Sequence, residues 1–388
     1  MKKIEGSRSC RRVAKRVEEL RPSGIRRFFD LVIGREDVIS LGVGEPDFPV
    51  PWRIREEMIY SLEKGFTSYT SNLGLPELRE GIAKYYKRFS LEVSPNQILV
   101  TTGASEAIDL AIRAIIDPGD RVLIPEPCYV SYKPLVSICH GEAISIATNP
   151  DFKLTKERIE KYVDEKTKAI IINYPANPTG VSYTKKELEE IADSVLEHDL
   201  LVISDEIYAE LTYDFKHVSI ASLNGMEERC IIINGFSKAF SMTGLRVGYL
   251  IAPQDIFNAA LKIHQYCMLC APITSQIGAI EALKCLDEVE KAKAEYLRRR
   301  NYVVKRLSEF LEVRKPDGTF YAFPNISSTG MSSEEFAEEL LFKKNVAVVP
   351  GNAFGECGEG YVRLAFAVRF EKLKEALDRM EEFVNAKG

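Results

Sequence analysis

The chain has 388 residues, of which 45% are hydrophobic and 28% charged, and its formal net charge is −5 at pH 7. This length exceeds the usual size of one core and predicts two domains, and the composition is ordinary for a soluble globular protein. The mildly acidic balance excludes a general nucleic-acid binder, which needs a clustered basic surface, and no apolar run approaches the ~20 residues of a membrane span. We therefore expect neither a nucleic-acid nor a membrane partner.

The N-terminal segment is locally basic, a property that transit peptides share. Glu5, Glu18 and Glu19 count against a transit peptide, because such segments are poor in acidic residues. Spaced apolar positions from Val13 to Phe29 predict an amphipathic helix and a following turn instead. We therefore expect a cytoplasmic protein.

From about Gln97, short apolar runs rich in β-branched residues alternate with longer helical patterns. Continuous apolar runs are typical of strands buried on both faces, and the intervening helices are typical of crossovers between parallel strands. In the clearest helix, "TKKELEEIADSVLEHDL", the predicted apolar face consists of Leu188, Ile191, Ala192, Val195 and Leu196. The sequence thus predicts an α/β fold with a mostly parallel sheet of seven strands: "ILVTT", "RVLIP", "AISIAT", "AIIINYP", "LLVISDE", "IIIN" and "VGYLIAP".

The pattern changes after about Leu286. A long charged helix is followed by strand-like and helical runs in the segments "EVEKAKAEYLRRRNYVVKRLSEFL", "TFYAFP", "SSEEFAEELLFKK", "VAVVP" and "YVRLAFA", before a final helix. Such segregation is typical of a smaller α+β domain. We therefore predict a large domain at residues 46–285 and a small domain made of residues 1–45 and 286–388.

Metal sites and hydrolytic triads find little support in the sequence. The eight cysteines are scattered, and the one close pair, Cys267 and Cys270 of "CMLC", lies in an apolar, helix-like stretch. A single CxxC motif without a second pair is weak support for a metal, so we interpret these residues as buried small hydrophobes. None of the four histidines has a ligand-like or triad-like spacing. We predict no metal.

Polar residues directly follow several predicted strands. In open α/β sheets, ligands bind beyond the carboxyl ends of the strands, so these positions are candidates for a site. Each also has an ordinary interpretation, such as a helix cap, a β-turn or a solvated loop lysine. Their shared position on one edge favours a site. The residues are Gly103, Ala104 and Ser105 after "ILVTT", Asn177 in "ANPTG", Asp205 and Tyr208 after "LLVIS", and Ser237 and Lys238 after "IIINGF".

The same edge has the chemistry of a phosphate site. Gly103 and Ala104, at a helix start, offer free N–H donors and the positive end of the helix dipole, and two serines add hydroxyl groups. Arg246 adds a fork-shaped cation. Neither the dinucleotide pattern G-x-G-x-x-G nor the P-loop pattern G-x-x-x-x-G-K-[ST] is present. A phosphate site beside a lysine and an acid predicts a phosphorylated cofactor held through an imine.

Nine motifs between about Val38 and Arg369 resemble, in order, those of class I/II aminotransferases of the pyridoxal-phosphate fold type I superfamily. They are "LGVGEPDF", "YTSNLGLPELR", "TTGASEA", "PEPCYVSY", "NYPANPTG", "SDEIY", "GFSKAFSMTGLRVGY", "GTFYAFP" and "GEGYVRLAFA". The resemblance implies fold type I, the cofactor pyridoxal 5′-phosphate, and transfer of an amino group from an L-amino acid to a 2-oxo acid.

The resemblance also implies roles for the residues beyond the strands. Lys238 is similar to the family's Schiff-base lysine, which moves a proton from the substrate Cα to the cofactor's C4′. This work requires a neutral amine, and we expect burial and neighbouring cations to lower the pKa of Lys238. Asp205 would keep the pyridine nitrogen protonated, and Asn177 and Tyr208 would hydrogen-bond the phenolic oxygen. Tyr129 would stack on the ring.

The resemblance implies further roles at the cofactor phosphate and at the substrate α-carboxylate. Tyr69 of "YTSNLG" resembles the tyrosine that reaches the phosphate from a neighbouring subunit, which implies a homodimer with shared active sites; a surface loop tyrosine is the alternative. Arg363 of "YVRLAFA" is similar to the family's clamp on the substrate α-carboxylate, and the Gly42 backbone would donate to the same carboxylate. The phosphate would be bound by Gly103, Ala104, Ser105, Ser237 and Arg246.

The sequence constrains the identity of the substrates less than that of the cofactor. We expect 2-oxoglutarate as the acceptor, and aspartate, an aromatic amino acid or alanine as the donor. Some aspartate-type relatives have a lysine where this chain has Ser105, which weakens the aspartate assignment without excluding it. Tyr69, Tyr129 and Tyr321 fit an aromatic pocket, and core packing in the small domain is the alternative for Tyr321.

Three other functions stay open on the sequence. A β-lyase or another pyridoxal-phosphate lyase would use the same lysine and aspartate. A nicotinamide-dependent oxidoreductase is disfavoured by the missing glycine pattern, and a non-catalytic regulator by the lack of room for a DNA-binding domain. Transamination is the preferred function.

Overall fold

The structure, a computed structural model, describes residues 12–20, 24, 34–35 and 37–387. Only part of the predicted N-terminal helix falls within them. Lys15–Glu18 form a short helix, whereas residues 21–23 and 25–29 of the prediction lie outside the described residues, as do the basic positions before residue 12. None of the helices in the described part is long and apolar enough to cross a membrane.

The elements of the described residues are numbered in chain order. The strands are β1 (Ile39–Ser40), β2 (Ile98–Thr101), β3 (Arg121–Glu126), β4 (Glu142–Ala147), β5 (Thr167–Asn173), β6 (Leu201–Asp205), β7 (Cys230–Gly235), β8 (Gly248–Ile251), β9 (Tyr321–Ala322), β10 (Val346–Ala347), β11 (Val349–Pro350) and β12 (Val362–Ala365). The helices are α1 (Lys15–Glu18), α2 (Trp52–Glu63), α3 (Pro76–Tyr86), α4 (Ala104–Ile115), α5 (Tyr132–Ile138), α6 (Lys156–Glu160), α7 (Lys185–Glu197), α8 (Gln254–Cys267), α9 (Ile273–Ala282), α10 (Leu286–Leu307), α11 (Ser333–Lys344) and α12 (Phe370–Asn385).

Strands β2 to β8 form the predicted seven-stranded sheet, in the order β2-β8-β7-β6-β5-β3-β4. The five strands from β7 to β4 in this order pair in parallel, whereas β8 runs antiparallel to both of its neighbours, β2 and β7. Apolar clusters pack on both faces of the sheet, which explains why its central strands are apolar almost throughout. Because β8 is reversed, it begins at the edge where β2 and β7 end.

Helix α7 shows how local sequence sets these elements. Thr184 caps its start in a capping box, in which the Thr184 hydroxyl accepts from the Glu187 N–H and the Glu187 carboxylate accepts from the Thr184 N–H. Four of the five residues of the predicted apolar face pack into the sheet core. The prediction is wrong for Leu196, whose side chain is exposed because it lies at the rim of the stripe near the helix end.

The C-terminal part has its own core. Strands β11, β12 and β9 form a three-stranded antiparallel sheet, and β1 pairs in parallel with β10. The run "VAVVP" was predicted as one strand but forms two, because β10 pairs with β1 and β11 with β12. In α10, Val289 packs in the core of the large sheet and Tyr296 in the C-terminal core. The domain boundary at residue 285 stays a prediction.

Candidate active site

A cavity of about 590 Å³ lies at the edge of the sheet where β2, β5, β6 and β7 end. The carboxyl ends of parallel strands meet at this edge, so residues that are far apart in the sequence come together there. The cavity is lined by Val43, Gly44, Glu45, Ala104, Ser105, Ile108, Tyr129, Asn173, Asn177, Asp205, Ile207, Tyr208, Ser237, Lys238, Thr243, Arg246, Tyr321 and Arg363.

Lys238 lies in the loop after β7, partly buried in the cavity wall. Its Nζ donates a hydrogen bond of 2.6 Å to the carbonyl oxygen of Gly44. Burial lowers the pKa of Lys238 from 10.5 to about 8, and the nearby cations Arg363 and Arg246 act in the same direction, although Glu45 opposes them. A lysine placed in this way is neutral in a larger fraction of molecules near neutral pH than a lysine in water.

The lowered pKa predicts an unusual pH profile for the Lys238 amine. Only the neutral amine is nucleophilic, so its reaction with an acylating reagent rises with pH through a midpoint of about 8 in the ligand-free chain. Peptide mass spectrometry after short labelling pulses at successive pH values measures this profile. The exposed Lys216 in the same digest is the internal reference for labelling, and a Lys238 midpoint at the ordinary value of 10.5 would contradict the prediction.

Asp205 is the last residue of β6 and is buried. The Tyr132 hydroxyl donates to Oδ2 at 2.6 Å, and the Ile207 N–H donates to Oδ1 at 3.2 Å. Burial raises the pKa of Asp205 to about 6, and these two hydrogen bonds hold it below what burial alone would give. The carboxylate therefore has a fixed orientation and responds strongly to any charge brought beside it.

Two residues at this site were missed by the sequence reasoning. Tyr132, at the start of α5, holds the Asp205 carboxylate, and its motif "PEPCYVSY" had drawn attention only to Tyr129. Asn173, the last residue of β5, accepts from the Asn177 N–H at 2.8 Å and donates to the Asp205 carbonyl at 2.9 Å. Its position at a strand end was a usable signal, whereas nothing local pairs Tyr132 with Asp205.

Arg363, in β12, is buried at another wall of the cavity. Its Nη1 donates to Asn177 Oδ1 at 2.9 Å, and its Nη2 donates to the Gly42 carbonyl at 2.7 Å. Within the described residues its buried Nε has no hydrogen-bond partner. The guanidinium lies 4.4 Å from the centre of the Tyr321 ring, and the Tyr321 hydroxyl is 2.9 Å from that of Tyr208. Tyr321 thus both packs in the C-terminal core and lines the cavity.

The predicted backbone role of Gly42 is not visible in these contacts. Gly42 uses its carbonyl toward Arg363, and it is Gly44 that lines the cavity. A Cβ atom at Gly44 would stand 2.6 Å from the Tyr321 hydroxyl, so this position admits only glycine at its present spacing. Donation from the Gly42 N–H stays a prediction.

The predicted phosphate residues come together at the start of α4. Gly103, the N-cap residue, has a φ of 79° and lies against Arg246, where an added Cβ would be 2.5 Å from Nη2. Arg246 lies two residues before the reversed strand β8 and donates to the Thr243 carbonyl at 2.8 Å. Gly103 is covered by this contact, whereas Arg246 itself lines the cavity. Ala104, Ser105 and Ser237 line it as well.

The predicted aromatic residues divide into two groups. Tyr129 and Tyr208 line the cavity, and the Tyr129 ring meets that of Tyr132 edge-on with centroids 5.5 Å apart. Tyr69 is 83% exposed and lies outside the cavity lining of its own chain. Its side chain therefore contributes nothing to this cavity from within the same chain.

The chain is similar over most of its length to known aminotransferases. Residues 36–380 match the family described as "Aminotransferase class I and II". A putative aminotransferase of Bacillus subtilis, YugH, is 55% identical, over 95% of this chain and 97% of that protein. An aspartate aminotransferase of Pyrococcus abyssi is 49% identical, over 96% of this chain and 98% of that protein. The crystal structure of an aromatic aminotransferase from Pyrococcus horikoshii is similar with a TM-score of 0.89 at 47% identity, covering 93% of this chain and 99% of that one.

Proposed function

This chain belongs to the class I and II aminotransferases and has their fold type I, and from that premise we propose that pyridoxal 5′-phosphate binds in the cavity between Lys238 and Arg246. The chain is a pyridoxal-phosphate-dependent transaminase, which moves the amino group of an L-amino acid to a 2-oxo acid. The observation that supports this cofactor position is the presence, in one cavity, of a lysine with a lowered pKa, a buried acid and an arginine at a helix start.

The residues of the cavity fit this cofactor. Contact between Gly103 and Arg246 puts a helix N-terminus beside a cation, which is an arrangement suited to phosphate. Lys238 offers a neutral amine to the aldehyde. The unpartnered Nε of Arg363 is a buried donor that a second anion, the substrate carboxylate, would satisfy.

The chain's own residues then divide the chemistry. When bound, pyridoxal phosphate accepts the electron pair left on the substrate Cα. Asp205 would hold a proton at the pyridine nitrogen, because a buried carboxylate whose pKa is raised to about 6 is stabilised by an adjacent positive charge. Lys238 moves a proton between the substrate Cα and the cofactor C4′. Asn177 has its Oδ1 occupied by Arg363, which leaves its amide N–H groups for the phenolic oxygen, together with the Tyr208 hydroxyl.

The remaining residues bind and orient. The phosphate is held by the N–H groups and hydroxyls at the start of α4, by Ser237 and by Arg246. Tyr129 stacks on the ring, and the planar fork of Arg363 pairs with the substrate α-carboxylate. These assignments extend the predicted roles residue by residue.

We propose that the preferred amino donor has an aromatic or apolar side chain. Among the described residues that line the cavity, the cations are Lys238, Arg246 and Arg363, and each already has a role. The other charged residues of the lining are acids, and Ser105 stands where some aspartate-type relatives have a lysine. A side-chain carboxylate therefore has no counter-ion in this chain's cavity, whereas Val43, Ile108 and the tyrosines offer apolar contact.

Aspartate is the second candidate, because a relative of 49% identity is an aspartate aminotransferase. Mixing the enzyme with single amino acids and following conversion of the cofactor to its amine form distinguishes the two. We expect phenylalanine and tyrosine to convert it at lower concentrations than aspartate, and 2-oxoglutarate to reverse the conversion. Preference for aspartate would contradict the proposed donor class, and release of pyruvate and ammonia without an acceptor would reveal lyase activity.

We further propose a homodimer with shared active sites. Exposed apolar side chains are concentrated in residues 52–69 and 266–269, and the Asn72 side chain ties the Tyr69 loop to the Leu269 carbonyl at 2.6 Å. Surfaces of this kind mark interaction sites. Light scattering should give twice the mass of one chain, and a monomer that is fully active would contradict the proposal. The surface comprises Trp52, Ile59, Tyr60, Leu62, Phe66, Tyr69, Tyr266, Met268 and Leu269.

The cytoplasmic location also stays a prediction, which cell fractionation tests.

A further inference from the structure

A buried acid–histidine pair lies behind the start of α4, outside the cavity lining. Glu106 Oε1 is 2.7 Å from Nδ1 of His264, which stands in the last turn of α8. Glu106 is 9% exposed and His264 is fully buried. The residues around them on α4 and α8, such as Ala107 and Ala260, belong to one apolar cluster. A polar pair in apolar surroundings has a well-defined geometry, because neither side chain can exchange its partner for water.

The second oxygen of Glu106 connects this pair to the turn before α4. Glu106 Oε2 accepts a hydrogen bond from the backbone N–H of Thr102. The adjacent Gly103 N–H is bonded to the Thr101 carbonyl at 2.8 Å, and the Gly103 carbonyl accepts from the Glu106 N–H at 3.2 Å. These three hydrogen bonds hold the backbone of the turn from Thr101 to Gly103, and the Glu106 carboxylate accepts one of them.

An acid at this position is unexpected on electrostatic grounds. A carboxylate in the first turn of a helix stabilises that helix, but it repels an anion that binds at the same helix start. Glu106 does not line the cavity, so it is neither a ligand nor a competitor for one. What remains for it to do is to fix Thr102, and His264 orients it for that contact.

We propose that Glu106 and His264 are positioning residues for the cofactor phosphate. His264 holds Glu106, Glu106 holds the Thr102 N–H, and the turn is thereby kept in the shape that puts Gly103, with its φ of 79°, against Arg246. Without the hydrogen bond from Thr102 to Glu106, the turn changes shape. The N–H groups at the start of α4 and the Arg246 guanidinium then no longer bind the same phosphate. The inference rests on the proposed phosphate site.

The test compares two ligands that differ only in the phosphate. The full-length chain, freed of cofactor, is titrated with pyridoxal 5′-phosphate and with pyridoxal, and both dissociation constants are measured. In Glu106→Ala and His264→Ala we expect the affinity for pyridoxal 5′-phosphate to fall about tenfold, the usual size of a lost charge-assisted hydrogen bond, with that for pyridoxal unchanged. Glu106→Gln keeps an acceptor for Thr102 and should recover most of the loss. The double alanine variant should be no worse than Glu106→Ala, because both residues act through one contact.

Asp109→Ala is the matched control, since Asp109 lies on the same helix and pairs at 2.8 Å with Arg113 away from the turn. Equal losses for both ligands would show a role in general stability and overturn the inference, as would unchanged affinities. If an alanine variant does not fold, Glu106→Met, which keeps the side-chain volume but has no acceptor for the Thr102 N–H, and His264→Leu give the same comparison. Failure of the phosphate site itself gives a different result, in which the unaltered chain binds pyridoxal as tightly as pyridoxal 5′-phosphate.

Discussion

Lys238→Ala should reduce transamination by more than about a thousandfold, because in the proposed function the amine both holds the cofactor and transfers the proton. The lowered pKa of about 8 shows that the cavity makes the neutral form, which both tasks need, more accessible than it is for a lysine in water. Turnover of a donor with 2-oxoglutarate measures the effect, and the visible absorbance of the bound cofactor should change with it. Within the described residues, the contact with the Gly44 carbonyl is the only hydrogen bond of the Lys238 side chain, so the fold should survive the change.

Lys216→Ala is the matched control, because Lys216 is exposed and lies outside the cavity lining. It should keep the turnover and colour of the unaltered enzyme. Full turnover by Lys238→Ala, in protein shown to be folded by circular dichroism, would remove Lys238 from the mechanism and require another amine.

Arg363→Ala should weaken substrate binding by about 2–5 kcal/mol, the range measured when one partner of a desolvated charge pair is removed. Burial lowers the pKa of Arg363, and the free Nε together with the two Nη groups makes it the buried cation best placed for a carboxylate. The concentration dependence of the first half-reaction measures the affinity. Arg363→Lys should recover only part of the loss, because an ammonium group lacks the planar fork.

A second ligand makes the Arg363 test specific. The amine that corresponds to the donor without its α-carboxylate should bind the unaltered enzyme and Arg363→Ala equally. If Arg363→Ala weakened the amine and the amino acid by the same factor, Arg363 would have a structural role and the carboxylate clamp would lie elsewhere.

Much of the fold was predictable because buried strands and helices produce regular patterns of apolar residues in the sequence. Strands covered on both faces must be apolar throughout, so the central strands were visible as continuous runs, and all seven predicted strands are present in the sheet. The start of α7 was likewise visible, since a capping box is a contact between residues three apart. The site was predictable to the same extent. Asp205 ends β6 and Lys238 follows β7 closely, and the ends of parallel strands meet at one edge.

The sequence by itself therefore determined the elements, the edge at which ligand-binding residues gather and, through its motifs, the chemistry of that edge. Only the tertiary structure decided which strand of the mostly parallel sheet is reversed and which residues are long-range partners. Periodicity reports that a strand is buried but not which way it runs, so the reversal of β8, which brings Arg246 to Gly103, was not visible. Arg363 bonds to a carbonyl 321 residues earlier, and Glu106 to a histidine 158 residues later. Such pairs leave no local pattern, because the two partners become neighbours only when the chain has folded.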